Sequence, residues 1–361
     1  MVRYASAPAT TLRKAAVDLL GVFARAVVCL ALCLVSAVLP SPARALDYRQ
    51  LAVIVNTRDP LSIQIGDYYA ERRHISFQNM IRVSFTPIEA TLTRARFELI
   101  KTQVDSQTLP HVQAYALAWA APYRVECMSI TSAFAFGFDP AFCAEGCKPT
   151  RPSPYFNSRV RLPFTQLGMR PTMAIAASSF AQARALIDRG VESDGSRPVG
   201  TAYLLSTPGN ARNVRSASYP LVERILKGRV RVRTLEQDAL MDAQDVLFYF
   251  TGKVRVEGLD TLGFLPGAIA DHVTSFGGMI TDGGETSALR WLEAGATGSY
   301  GTVVEPCNLP QKFPNLPVVS SIYLRGETLI EAYWKSVAMP GQGVFIGEPL
   351  AAPFRRRAAV P

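Results

Sequence analysis

Between Asp245 and Gly278 the chain reads DVLFYFTGK, then a linker, then PGAIADHVTSFGG. Each run is apolar without polar alternation, and each stops abruptly in glycine and small polar residues. A strand loses its alternation when both of its faces are buried, and such strands belong to parallel sheets covered by helices. In sheets of that class, ligands gather at the carboxyl ends of the strands. Thr251, Gly252 and Lys253 sit at one such end. His272, Ser275, Gly277 and Gly278 sit at or near the next.

The rest of the chain keeps the same rhythm. A strand over Leu51–Val55 leads into Asp59-Pro60, a capping residue followed by a proline suited to the first helical position, and a helix to Arg73. A strand over Met80–Phe85, a helix over Glu89–Ser106 and a strand over Val112–Ala120 follow. Alternation resumes at Thr172 and ends in one long helix over Val318–Val337 and a short strand over Val344–Ile346. This pattern predicts an α/β protein with a mostly parallel sheet flanked by helices. Two subdomains are expected, over 46–120 and 171–354. An irregular Cys/Pro-rich excursion over 121–170 separates them, and a basic tail covers 355–361. With 361 residues, 48% of them hydrophobic, the chain has ample material for such a core.

Residues 1–45 read as a secretory signal peptide. A basic leader precedes an apolar block over Ala26–Leu39, and Ala43-Arg44-Ala45 gives the small-x-small cleavage pattern. The block is short for a membrane span, which needs about 20 residues. The expected location is therefore periplasmic or extracellular, with membrane contact only through an uncleaved signal. The leader holds five basic residues and one acidic residue, so its removal lowers the net charge from +9 to +5. That balance gives no case for nucleic acid. Four cysteines remain: Cys127, Cys143, Cys147 and Cys307. In an exported chain they imply two disulfides, with three pairings open, among which a local Cys143–Cys147 loop is plausible.

Familiar catalytic signatures are missing: no phosphate-binding loop, no GxGxxG after a strand, no GxSxG elbow, no HExxH. With only three histidines most metal-hydrolase designs are excluded, and no cofactor or metal is expected. A serine becomes a nucleophile only when a base within hydrogen-bond reach takes its proton. On an extended segment, Ser275 and His272 fall on opposite faces, so pairing them requires a turn, which Gly277-Gly278 supplies. The competing reading of His272 is a satisfied core histidine. Glu305, fixed by Pro306 at another strand end, is placed to orient His272 or bind a cation, or is a plain surface carboxylate. Cys307 reads as a thiolate nucleophile or, in an oxidising compartment, as a disulfide partner. Asn56 and Asp59 read as helix caps, and His74 and His111 as surface or helix-end residues.

The block order of the C-terminal half resembles the gingipain-type cysteine peptidases and the wider caspase-hemoglobinase fold. DVLFYFTGK is similar to the strand that ends in the catalytic histidine loop, and GAIADHVTSFGG to the strand that ends in the catalytic cysteine. ALRWLEAGATGSYGTVV, YLRGETLIEAYWKSVA and FIGEPL resemble the blocks that follow, with Glu348 where aspartate is usual. VIVNTRDPLSIQIGDYYAERRHI and Pro122-Tyr123-Arg124 are similar to an uncharacterised family of exported bacterial proteins, over roughly residues 50–354. The resemblance places Lys253 where the peptidases have histidine and Ser275 where they have cysteine. Lysine stays protonated unless burial depresses its pKa, and a hydroxyl is not ionised near neutral pH. Two functions follow as expectations. One is a catalytically degenerate relative that binds a peptide, protein or glycan in the cell envelope. The other is a hydrolase with a rebuilt site, using Ser275 with Lys253 or with His272 and Glu305.

Overall fold

A computed structural model describes residues 45–87, 90–144, 146–281 and 284–356. The expected signal peptide, Ala45 excepted, lies outside the described residues, as do Glu89 and the tail from 357 to 361. In chain order the strands are β1 (Leu51–Asn56), β2 (Met80–Val83), β3 (Thr91–Leu92), β4 (Ala114–Leu117), β5 (Arg124–Val125), β6 (Met128–Ser129) and β7 (Thr172–Ala174). They continue as β8 (Thr201–Ser206), β9 (Arg231–Glu236), β10 (Val246–Thr251), β11 (Phe264–His272), β12 (Gly298–Thr302) and β13 (Gly343–Gly347).

Ten strands form one sheet in the order β2-β1-β4-β7-β13-β12-β11-β10-β8-β9, and β3, β5 and β6 form a small second sheet. Every neighbouring pair in the large sheet is parallel except β12–β13. That pair reverses the sheet, so β2 through β13 point one way and β12 through β9 the other. The unbroken apolar runs have the expected cause: β1, β4, β7, β10, β12 and β13 are buried at every residue. By contrast β9, at the sheet edge, is mostly exposed.

The Pro60–Arg73 helix starts as its sequence directs, with the Asp59 carboxylate accepting from Leu61 N at 2.9 Å. Asn56 is also structural: its amide donates to Phe85 O at 2.9 Å and its Oδ1 accepts from Phe85 N at 3.1 Å. At the far end of that helix Arg73 grips Glu348 with two bonds, of 2.8 and 2.6 Å, and also bonds Asp194. Glu348 is fully buried, so this clamp joins the first helix to the segment after β13. FIGEPL thus carries a structural carboxylate.

Three expectations are corrected. The long helix over 318–337 is two helices, Leu316–Leu324 and Leu329–Trp334. Gly326 separates them at φ 86, a left-handed conformation, and a Cβ there would meet the Arg355 backbone at 2.8 Å. The 121–170 excursion is less irregular than its composition implies. It contains the Ile130–Phe136 helix, whose first six residues are all buried, and the Thr131 hydroxyl of that helix donates to Gly343 O at 3.1 Å. The local Cys143–Cys147 loop does not form. The bonds are Cys127–Cys143 and Cys147–Cys307, which tie the excursion to itself and to the segment after β12.

Non-reducing peptide mapping is therefore expected to recover these two pairs. Cys307→Ser should cost about 2–5 kcal/mol, and more than Cys127→Ser, because the Cys147–Cys307 bond spans 160 residues of sequence rather than 16. A mapped Cys143–Cys147 bond would contradict the arrangement. Glu348→Gln should cost about 1.5–3 kcal/mol in denaturant titration, because it removes the charge-assisted bonds from Arg73 and leaves Asp194 as the remaining counter-charge.

Candidate functional site

The strands β8, β10, β11 and β12 are parallel, so their carboxyl ends share one rim of the sheet. Thr251 and His272 are register partners, which sets the two strand ends side by side. Arg215, from the 3-10 turn Asn213–Ser218 after β8, stitches them together. Its Nη1 bonds Asp271 Oδ1 at 2.6 Å, and its Nη2 donates to Thr251 O at 3.2 Å and Asp271 O at 3.4 Å. Asp271 has no solvent exposure. Burial pushes its carboxyl upward in pKa, and Arg215 and the Tyr333 hydroxyl oppose that shift.

Glycine lets the loops lie against one another at this rim. A Cβ on Gly252 would fall 2.0 Å from Arg212 O, and one on Gly301 would fall 2.3 Å from the Gly277 carbonyl carbon. The turn after β11 is then pinned from both sides. Thr302 Oγ1 donates to Thr274 O at 3.1 Å and Ser275 O at 2.9 Å, and Gly278 N donates to Thr302 O at 2.8 Å. Glu285 Oε2 accepts from Thr274 Oγ1 at 2.7 Å and from Phe276 N at 2.6 Å. Glu285 also lines an adjoining cleft of about 600 Å³, with Arg255, Glu257, Thr281 and Arg290.

The four residues expected to carry chemistry do not join. The Lys253 ammonium lies 3.4 Å from Asp238 Oδ2. Asp238 follows β9, so Lys253 turns toward the sheet edge, away from β11. Glu305 is exposed, and its Oε1 accepts from Cys307 N at 2.7 Å, closing its own turn. Cys307 is held in a disulfide and offers no thiolate. Ser275 is partly exposed, and its hydroxyl has no hydrogen-bond partner among the described residues.

His272 is 1% exposed, and the Trp291 indole N–H donates to its Nδ1 at 3.0 Å. A neutral imidazole that accepts at Nδ1 must carry its proton on Nε2. Burial, reinforced by Arg215, lowers its pKa to about 3, and the Thr286 carbonyl opposes this shift. His272 is thus a neutral N–H donor and not a base for Ser275. Its Nε2 makes no hydrogen bond of good geometry among the described residues.

Arg212 was not singled out from the sequence. Its Nε is buried without a partner, and its guanidinium makes no hydrogen bond or ion pair among the described residues. Its backbone rests on Gly252, and its charge reaches His272. The Thr251 hydroxyl, 2% exposed and beside His272 in the register, also lacks a partner. Arg212 Nε, the Thr251 hydroxyl and His272 Nε2 are therefore three donors that meet no acceptor in good hydrogen-bonding geometry among the described residues. The visible signal for this place was Asp271-His272, a polar pair closing an apolar strand.

Because the folded pKa of His272 lies below its unfolded value, folding favours the unprotonated ring. The stability this confers is complete above pH 6.5 and is lost as pH falls from 6.5 toward 3, at about 1.4 kcal/mol per unit. His272→Gln, which keeps an acceptor for Trp291, is expected to flatten that acid limb in denaturant titrations from pH 7 to 4. An unchanged limb would contradict the assignment.

No family model matches the chain, and no curated protein matches it in sequence. Among solved structures the chain is similar to one described as "Structure of Protease", with a TM-score of 0.50 at 10% sequence identity. The similarity covers 86% of this chain and 79% of that one. The likeness extends over the large, mostly parallel α/β sheet flanked by helices, and it speaks to the fold.

Proposed function

We propose that the chain is a catalytically inactive relative of peptidases of this fold. In this reading it binds a carboxylate-bearing peptide or protein outside the cytoplasm, at the rim where β8, β10 and β11 end. The observation that carries this reading is the fixed tautomer of His272. With Trp291 donating to Nδ1, the ring faces a ligand only as a donor, and Ser275 is left without a base. Catalysis by Ser275 with Lys253 is disfavoured for a separate reason, the engagement of Lys253 with Asp238.

The ligand chemistry follows from the unfilled groups. A buried donor without an acceptor costs about 1–3 kcal/mol, and a carboxylate that meets Arg212, Thr251 and His272 together relieves that cost. Charge-assisted bonds from a guanidinium add both strength and direction. The His272 and Thr251 donor atoms are covered, so entry requires the turn over Thr274–Gly278 to lift. Phe276, 37% exposed in that turn, marks its open side. The two cysteine pairs and the absence of a membrane-spanning helix among the described residues are compatible with export.

Two measurements test this. Fluorophosphonate and thiol-directed probes are expected to leave the folded protein unlabelled. Titration calorimetry against short peptides ending in aspartate, with amidated controls, should find binding that Arg212→Gln weakens at least tenfold and Ser275→Ala leaves unchanged. Labelling of Ser275 that disappears in Ser275→Ala, with peptide hydrolysis, would establish the rebuilt hydrolase instead.

A further inference from the structure

A buried carboxylate outside the set of residues just described lacks a cation of its own. Glu331 lies in the Leu329–Trp334 helix with no solvent exposure. Its Oε2 is crowded, accepting from Thr328 N at 2.9 Å, Thr328 Oγ1 at 2.7 Å and Leu46 N at 3.2 Å. Its Oε1 has no hydrogen-bond partner among the described residues. Lys335 sits near, but its ammonium is bonded to Glu327 Oε2 at 2.5 Å, and Glu327 also receives Arg325 and Arg161. Burial therefore pushes the Glu331 carboxyl up, with Lys335 pulling the other way and Glu327 adding to the rise. The Tyr155 hydroxyl, buried nearby, is also unpartnered.

The third donor is the telling one. Leu46 is 1% exposed, and it is anchored on its other side by Arg355, whose guanidinium donates to Leu46 O at 2.9 Å. It is also the residue that follows Ala43-Arg44-Ala45, the cleavage pattern of the leader. In the uncut chain, Leu46 offers Glu331 one neutral amide N–H. Cut there, the same nitrogen becomes an ammonium with three protons and a full charge, already at hydrogen-bond distance from a buried carboxylate with a vacant oxygen.

We propose that removal of the leader completes the fold: hydrolysis of the Ala45–Leu46 bond frees the Leu46 α-amino group, which forms a buried ion pair with Glu331. An endopeptidase that reads the small residues at 43 and 45 supplies the cut, and one water is consumed. The water oxygen goes to the Ala45 carbonyl carbon, leaving a carboxylate on the leader. The amine leaves on Leu46 and is protonated to the ammonium. The new charge compensates Glu331, and its added protons reach toward Oε1. The pairing holds residues 46–50 against the Leu329–Trp334 helix, joining the start of the mature chain to its last helix. It rests on the export reading, which supplies both the cut site and the cutting enzyme.

The test uses the full chain, leader included, produced in a bacterium that exports proteins. Intact mass and terminal sequencing are expected to find Leu46 as the first residue. Acetylation with an N-hydroxysuccinimide ester should then modify exposed lysines in the native protein while Leu46 reacts at least tenfold more slowly than in denaturant. A chain that retains Ala45 is expected to melt several degrees lower. Glu331→Gln should lower the mature form to the same point and leave the Ala45-retaining form little changed. If Glu331→Gln does not fold, the labelling rate decides alone. An uncut chain in the cytoplasm overturns the proposal together with the export reading. A chain cut before Leu46 whose terminal amine labels freely in the native state overturns the proposal and leaves export standing.

Discussion

Burial of the sheet on both faces is the constraint from which the rest follows. Water cannot reach the covered strands, so a polar side chain carried into them is costly unless it finds a partner within the protein. Arg73 meets Glu348, Arg215 meets Asp271, and Trp291 meets His272. Each of these pairs joins segments distant in sequence, and each sits at a strand or helix end where the apolar packing gives way. The first clamps the opening helix to the last strand. The second fastens the loop after β8 to the ends of β10 and β11. The third fixes the state of the one histidine on the rim.

What the sheet leaves unsatisfied is as informative as what it pairs. Three unfilled groups lie where β10 and β11 end: the Thr251 hydroxyl, His272 Nε2 and Arg212 Nε. Elsewhere, another unfilled atom, Glu331 Oε1, belongs to the carboxylate that meets the first residue of the expected mature chain. The two places differ in sign. One offers donors and lacks an acceptor, which suits an anionic guest. The other offers an acceptor and lacks a cation, which suits the chain's own terminus.

The fold was legible because two-face burial writes itself into the sequence as unbroken apolar runs. LAVIV, VLFYF and GAIADH announced β1, β10 and β11, and Asp59-Pro60 announced the helix after β1. Local patterns were misleading where distant contacts decide. The 316–334 region keeps a helical composition through Gly326, and only the Arg355 backbone packed against that glycine shows why the helix must stop. Cysteine spacing left three pairings open, a short local loop among them, whereas the bonds are Cys127–Cys143 and Cys147–Cys307. The shared rim of residues 251–253 and 272–275 was visible in the two strand ends. The partners that determine their chemistry were not. Trp291 lies 19 residues from His272, and Arg212 lies in a polar loop with no pattern of its own. Side-chain charge state depends on such neighbours, and a linear sequence does not display them.

The central claim is that Trp291 fixes His272 as a neutral donor and so removes the base that catalysis by Ser275 would need. Nitrogen-15 NMR of histidine-labelled protein reads the tautomer and charge of that ring directly. Between pH 8 and pH 5 the account predicts a His272 signal that does not titrate, with a protonated Nε2 and an unprotonated Nδ1. A His272 ring that titrates near pH 6.5, or that carries its proton on Nδ1 and leaves Nε2 free to accept, would contradict it.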